Sequence, residues 1–502
     1  MRVCVLARPC PGSWVDPYVA AFRRCCDTLV VGEAPGAEKL AEMNRPGLAG
    51  ERVDIPCGFD QPFDLLARLP EGWRPDLVVG ISGLGGAPLY PGVAALPCPT
   101  AFLTIDTWQC LYDYSEARQY DFVFAAQRSF LPRLHDAGSH RVHWLPLACD
   151  PEAHAPAPGA PTHDIAFAGS FSQPVHARRR QLLEALGVRF SVFAEENVFG
   201  PALNAAMARG RLAFNHCAVR EVNMRVFEAM AMGRPLLNNA EAADNGLLDL
   251  FEDGAHLALY DGESDLIDRA AALLADEPAR RRMAEAGRAR VLAEHTYDHR
   301  VATVIDTIAA HRAPDHDTRH GWACRGTRLH DYLPWAPGVL VDYGLGLRAS
   351  RIALRRRGVT EYVGCALGQG DTRRASCDTF LAEGLPPGET ADTFAVDARG
   401  RDGAFLEEGL RAARAVLVPG GNLLLAVDTG QAAATGEARA AWLLAHGFHR
   451  RFESLPLENG GFILGGRKRT RALRDMAREL YAVLAVPGVD PEELHARIPA
   501  SW

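Results

Sequence analysis

The sequence predicts an α/β protein made of parallel sheets, with two successive halves and a third α/β segment behind them. Three observations carry this expectation. Short aliphatic and β-branched runs alternate with stretches of helical period, the pattern of parallel strands joined by crossover helices. The proline-dense stretch from Pro151 to Pro161 interrupts that alternation once, and prolines at this density exclude both helix and central strand. A new apolar strand from Val339 runs into a glycine turn at Gly344 and Gly346. A length of 502 residues, at roughly 100 to 200 residues per domain, suits about three units.

In chain order, Arg2 to Ala7 reads as a first buried strand, followed by the loop Arg8 to Trp14 and a helix near Val19 to Cys26. Strands are expected at Asp76 to Ile81, Thr100 to Ile105, Asp121 to Ala125 and Arg141 to Leu145, completing a first half at 1–150. The second half, 151–312, opens with the connector as an extended hinge, then a strand at Asp164 to Ala168 and the loop from Gly169 to Gln173. Further strands are expected at Arg189 to Phe193 and Leu212 to His216. Helices follow at about Glu263 to Leu274, Pro278 to Glu294 and His299 to His311, the last with Val301, Val304, Ile305 and Ile308 in one apolar stripe. Residues 313–330 read as a linker, 331–470 as the third unit, and 471–502 as a helical end with Leu473, Met476, Leu480, Val483 and Leu484 at helical spacing.

Composition narrows the class. Forty-eight per cent hydrophobic residues supply several cores, and a net charge of -8 argues against wholesale nucleic-acid binding. The twelve cysteines are scattered without a C-x-x-C pair, so they are expected to be reduced, small and buried. No signal-like start and no run long enough to span a bilayer is read, so the expected location is cytoplasmic.

The most informative segment is Arg220-Glu221-Val222-Asn223-Met224-Arg225-Val226-Phe227-Glu228-Ala229-Met230-Ala231-Met232-Gly233-Arg234-Pro235. Val222, Val226, Phe227, Met230 and Ala231 make a helix with one apolar face, Gly233 and Pro235 end it, and Leu236 and Leu237 begin a strand. Its order of Asn, Arg, Phe-Glu-Ala-Met-Ala, Gly and Pro resembles the donor-binding segment of GT-B glycosyltransferases, in particular the group similar to the spore maturation protein CgeB. The resemblance runs over roughly residues 75–312 and includes Pro99 to Trp108, Tyr120 to Phe124, Val142 to Ala148, Asp164 to Ser170 and Phe214-Asn215-His216. It implies a GT-B architecture of two Rossmann-like halves whose last helix crosses back to the first half. The implied activity is transfer of a sugar from a nucleotide-diphosphate donor, UDP being favoured, to an acceptor.

On that resemblance Glu228 accepts hydrogen bonds from the ribose hydroxyls, as a carboxylate can. Arg225 is a candidate for the diphosphate or for a plain surface ion pair, and Asn223 for a phosphate or the transferred sugar. Gly169 and Ser170 either let the backbone approach a phosphate or form an ordinary turn. Of Arg178, Arg179 and Arg180, Arg180 is the chosen donor-binding candidate, against the alternative of a charged helix face. Asn215 and His216 follow a strand and are placed at the cleft, His216 as a catalytic candidate against a structurally satisfied histidine. Asp106 ends a strand where α/β sheets expose functional groups; it reads as a carboxylate facing the acceptor, a general base if the enzyme inverts, or as a turn aspartate. Many retaining relatives carry two glutamates with seven residues between them, whereas Glu221 and Glu228 have six between and Arg220 stands at the matching position; retention and inversion both stay open.

No Asp-x-Asp pair lies at the expected cleft loops, and Asp315-His316-Asp317 sits in the polar linker, so no metal is expected and the diphosphate charge falls to helix ends, amides and cations. In the third unit, Ala391 to Asp397 and Ala415 to Val427 resemble strands of S-adenosylmethionine-dependent methyltransferases. The glycine turn has Arg348 where a small residue is common, however, and Glu361 to Ala366 offers no carboxylate for the ribose after the next strand. The expectation is a degenerate methyltransferase-like domain that does not use S-adenosylmethionine and presents a protein or glycan acceptor. A bifunctional glycosyl- and methyltransferase and a non-catalytic scaffold are the other readings.

Overall fold

The computed structural model describes residues 1–311 apart from 58–64, 84–92, 94–95, 97, 109, 111, 118, 138, 140, 173–175 and 218–219; from 329 to 468 it describes 329, 333, 338–344, 347, 354–355, 359–365, 378–381, 390–428, 430–431, 436–453 and 462–468. The linker pair Asp315 and Asp317, the glycines Gly85 and Gly86, most of the basic stretch 348–357 and the expected helical end at 471–502 lie outside the described residues.

The first unit runs β1 (Arg2–Ala7), α1 (Val15–Cys25), β2 (Asp27–Gly32), α2 (Ala37–Glu42), β3 (Ile55–Pro56), α3 (Leu65–Arg68), β4 (Leu77–Ile81), β5 (Thr100–Thr104), α4 (Tyr112–Ala117), β6 (Phe122–Ala125), α5 (Leu131–Asp136) and β7 (Val142–Trp144). These strands form one parallel sheet in the order β3-β2-β1-β4-β5-β6-β7. Its central strands are continuous apolar runs because both faces are covered: Val3, Val5, Val79 and Leu103 pack on one side, Cys4, Leu6, Val78 and Phe102 on the other. Strands β2 and β3 were not among the expected elements; β3 has only two residues and β2 begins two residues after α1.

The second unit continues with β8 (His163–Ala168), α6 (Ala177–Arg189), β9 (Val192–Glu195), α7 (Pro201–Ala208), β10 (Gly210–Phe214), α8 (Met224–Ala231), β11 (Leu236–Asn239), α9 (Leu247–Leu250), β12 (Ala258–Tyr260), α10 (Gly262–Ala275), α11 (Glu277–Glu294) and α12 (Tyr297–Ala310). Its parallel sheet has the order β12-β11-β10-β8-β9. The strand expected from Arg189 starts later, because α6 holds on through Arg189 and the amide of Phe190 still donates to Leu186. The connector begins as a turn and not as extended chain: the amide of His154 donates to the carbonyl of Asp150 at 2.8 Å.

Helix α12 returns to the first unit. Tyr297 meets Tyr18 of α1 edge to face at 4.8 Å, Arg24 of α1 holds Asp298 through two nitrogens, and buried Arg300 donates to the carbonyls of Pro146 and Leu147 at 2.7 and 2.9 Å. One apolar cluster consequently includes Val5 and Phe22 of the first unit, Phe227 of α8 and Val304 of α12. This is the GT-B arrangement: two Rossmann-like sheets sharing a core, with their carboxyl edges toward a common cleft.

The third unit contains β13 (Gly338–Tyr343), β14 (Val359–Cys365), β15 (Thr379–Leu381), β16 (Ala391–Asp397), α13 (Gly403–Val416), β17 (Leu417–Val427), α14 (Gly436–Ala445), β18 (Phe448–Glu453) and β19 (Phe462–Lys468). The sheet order is β15-β14-β13-β16-β17-β19-β18, with β19 antiparallel to both its neighbours. At the end of β13, fully buried Asp342 accepts from the Tyr362 hydroxyl at 2.7 Å and from the amide of Leu347 at 3.2 Å. Among the described residues no helix is long and apolar enough to cross a membrane.

Phe227 is fully buried between Phe251, His295 and Arg300, at the meeting point of α8 with α12. Truncating a buried phenylalanine costs about 3–5 kcal/mol, so Phe227→Ala is expected to lower the urea midpoint by that equivalent, read by tryptophan fluorescence.

Candidate functional site

In both sheets the strand order reverses beside the first strand, β1 in one and β8 in the other, and the loops leaving the carboxyl ends at such points diverge to leave a crevice. The two crevices face each other across a cavity of about 640 Å³. From the first unit it is lined by the loop after β1 with Gly12 and Trp14, by Asp16 at the start of α1, by Glu51, and by Asp106 after β5. From the second it is lined by Gly169 and Ser170 after β8, Phe199 after β9, Asn215 after β10, Asn223 just before α8, and Arg225 and Glu228 within it.

Seven of the nine residues singled out from sequence therefore share one wall system: Asp106, Gly169, Ser170, Asn215, Asn223, Arg225 and Glu228. Glu228 is buried yet reaches the cavity, and its charge is held by the Arg225 guanidinium three residues earlier, Nη1 donating to Oε2 at 2.6 Å. Gly169 has φ 151, a conformation that L side chains rarely adopt, so the strand can turn sharply at the cavity. Asn223 caps α8 with extended backbone, and Asn215 Nδ2 donates to its Oδ1 at 3.0 Å and to Asn238 at 2.7 Å. Asn215 thus orients the residue that precedes α8, so the helix starts at the cavity wall, with Asn223, Met224 and Arg225 all lining it.

The other two lie elsewhere, and both placements are corrections. His216 does not line the cavity. Its Nδ1 faces the Tyr260 hydroxyl at 3.2 Å, and burial together with the charges of Arg179 and Arg178 lowers its pKa to about 4, leaving it neutral and a weak base at neutral pH. Arg180 is exposed on α6. Successive helical residues point about 100° apart, and it is Arg179 that turns inward. Arg179 is 6% exposed, donates from Nε and Nη2 to the carbonyl of His216 at 3.1 and 2.7 Å and from Nη1 to that of Ser170, and lines the cavity. It ties the glycine loop to the end of β10 and leaves a guanidinium at the second unit's crevice.

Several cavity residues had no sequence signal of their own. His154 sits in a proline-rich stretch read only as a connector, yet its ring lines the site, with Nε2 3.4 Å from Glu228 Oε1. Phe199 reaches across from the second unit to the first: a Cβ on Gly12 would lie 2.3 Å from its ring, and the Arg45 guanidinium stands 4.3 Å over the ring centroid. Arg45 is itself anchored to the carbonyl of Pro11 at 2.7 Å. Asp16 is pushed up to about 6 by desolvation, and Glu221 to about 7 by desolvation and by the Asp106 carboxylate on the opposite wall, with Arg179 partly offsetting this. Among the described residues no group of three or more His, Cys, Asp or Glu is placed to hold a metal ion.

Residues 178–306 match the family model described as "Glycosyl transferase-like", a stretch that runs from the start of α6 into α12. Among solved structures, the chain is similar to Anabaena HepE in complex with UDP and glucose at 17% identity and a TM-score of 0.42, covering 62% of this chain and all of that one. It is also similar to a glycosyltransferase from Rickettsia africae at 10% identity and a TM-score of 0.42, covering 62% of this chain and 98% of the other. A sucrose-phosphate synthase from Thermosynechococcus elongatus matches at 12% identity and a TM-score of 0.39, covering 62% and 98%. No curated protein matches the chain in sequence.

Glu221 supplies a pH test. Its carboxyl is raised from the ordinary 4.5 to about 7 in the folded protein, so folding favours the protonated form, and the stability this gives is present below about 4.5 and lost as pH rises through about 7. The melting temperature of Glu221→Gln relative to wild type should therefore rise with pH between those values and level off above them; a flat difference across pH 4.5 to 8 would contradict the assigned environment.

Proposed function

We propose that this glycosyl transferase-like chain moves a sugar from a nucleotide-diphosphate donor, UDP favoured, to an acceptor hydroxyl in the cleft between its first two units. The observation that carries the reading is the juxtaposition of Glu228, Arg225 and the amino end of α8 with the Gly169-Ser170 loop on one side of a single cavity. A nucleotide sugar needs a carboxylate for its ribose, positive charge and free amides for its diphosphate, and a second wall for the acceptor. In this arrangement Glu228 takes the ribose, and the start of α8 with Arg225 and Arg179 takes the diphosphate. Asn223 is within reach of a phosphate or the sugar. The opposite wall, with Trp14, Asp16, Glu51 and Asp106, suits a hydroxyl-bearing acceptor more than an anionic one, since carboxylates accept hydrogen bonds and repel negative charge.

Asp106 ends its strand on that wall and is the acceptor-side carboxylate in this reading, serving as general base if the configuration inverts. The cations and helix dipole near the donor wall supply leaving-group stabilisation without a divalent ion, so the reaction is proposed to be metal-independent. A CgeB-like affinity and a degenerate methyltransferase-like third unit belong to the same proposal. The strand order of the third unit, with its antiparallel β19, supports the second. Its described residues do not fit S-adenosylmethionine: a Cβ at Gly344 would lie 2.7 Å from the Phe405 ring, and the Asp342 carboxylate is occupied by Tyr362. The unit is better suited to presenting a protein or surface-glycan acceptor than to a second chemistry.

Two measurements test this. UDP at ~100 times its dissociation constant adds about 2.7 kcal/mol of stability, so UDP should raise the melting temperature of the wild type and not that of Glu228→Ala, while S-adenosylmethionine should shift neither; a shift with S-adenosylmethionine alone would move the chemistry to the third unit. Donor turnover should be undiminished in excess chelator, and strict loss restored by a divalent cation would refute metal independence.

A further inference from the structure

The connector between the first two units does more than join them. Its first turn places His154 against Glu228, and the contacts around that ring fix which nitrogen carries the proton. The amide of Asp150 donates to His154 Nδ1 at 3.1 Å, so Nδ1 is an acceptor and the neutral ring carries its hydrogen on Nε2. Nε2 stands 3.4 Å from Glu228 Oε1, while Oε2 is taken by Arg225 Nη1 at 2.6 Å.

The turn itself is anchored at both ends. Asn204 of α7 donates to the carbonyl of Ala153 at 2.7 Å. Asp150 lies 3.7 Å from Arg24 of α1, and the neighbouring Cys149 exchanges backbone hydrogen bonds with the chain entering α12, its amide donating to His295 and its carbonyl accepting from Tyr297 at 3.0 Å each. The ring is thus carried by the chain segment that must change if the two units move apart.

We propose that His154 is a positioning residue: presented by the connector with Nε2–H toward Glu228 Oε1, it holds the carboxylate rotamer that receives the nucleotide ribose and links that rotamer to the relation between the two units. This deepens the proposed function and rests on its reading of Glu228. Arg225 alone restrains one carboxylate oxygen and leaves the group free to rotate about the remaining contact; an imidazole from a different element, 3.4 Å from the other oxygen, narrows that freedom. Both carboxylate oxygens keep a lone pair for the ribose, because an ionised carboxylate offers about four acceptor positions.

The test is discrimination between UDP and 2′,3′-dideoxy-UDP, measured by calorimetry on the full chain for wild type, His154→Ala, His154→Gln and Glu228→Ala. Wild type should prefer UDP, Glu228→Ala should lose the preference, and His154→Ala should reduce it about tenfold, the equivalent of roughly 1.4 kcal/mol. His154→Gln, which keeps an N–H donor, should restore at least part of it. A His154→Ala protein that binds both nucleotides more weakly but keeps the wild-type ratio would overturn the proposal, since a merely structural role would move both affinities together. A Gln variant no better than Ala would also overturn it. If the wild type or Glu228→Ala fails to behave as stated, the fault lies with the ribose reading of Glu228; if only the His154 variants do, it lies here.

Discussion

The cavity depends on how the chain enters α8. Residues Arg220 to Asn223 lie between the two units and are held from both sides: the Gln127 side chain of the first unit makes a reciprocal pair with the backbone of Val222, accepting at 2.9 Å and donating at 3.3 Å. Asn245 of the second unit bonds the carbonyl of Arg220 and also accepts from the amide of Ser129 at 2.8 Å. Side-chain amides suit this task because each offers a donor and an acceptor in one plane and so can copy the pairing of a missing strand. With this segment fixed, Arg220 is held at φ 59 and α8 starts at the cavity wall. Glu228 then follows one turn inside, buried and paired.

The same economy governs the charges. The second unit's wall is held together by ion and hydrogen-bond pairs among its own groups, Arg225 with Glu228 and Arg179 with two carbonyls, so that few conformations remain for a ligand to select. The carboxylates are different: Asp16 on the first unit's wall and Glu221 across from Asp106 have raised pKa values because they are desolvated without a full counter-charge. The cleft thus combines preorganised cations with carboxylates that are electrostatically strained. A ligand that brings hydroxyls to those carboxylates relieves the strain.

Much of this was legible in the residues. The parallel strands of both halves and the α8 segment follow from apolar run length, turn residues and helical period, since burial on both faces leaves a continuous hydrophobic signature. Strand β3, a two-residue edge, and β2 beside it, whose first three residues are not buried, did not. At the site, Glu228, Arg225, Asn223, Gly169 and Asp106 stood out because they occupy fixed places relative to a strand end or helix start. Arg179 and Arg180 could not be separated from the sequence alone, since three consecutive arginines carry no phase until the helix is packed. His154 and Phe199 were invisible for a different reason: each acts across the boundary between units, and local pattern does not encode a partner far away in sequence.

Phe199 has one further implication. Its ring rests where any side chain on Gly12 would stand and beneath Arg45, so a single aromatic group of the second unit bridges to the first at the cavity wall. Such a contact is worth on the order of 1 kcal/mol, a small bias toward the arrangement in which the two walls stand together. A glycine with no chemistry of its own thereby helps decide how the two walls meet, because any side chain in its place would have to push the ring, and the contact it makes, aside.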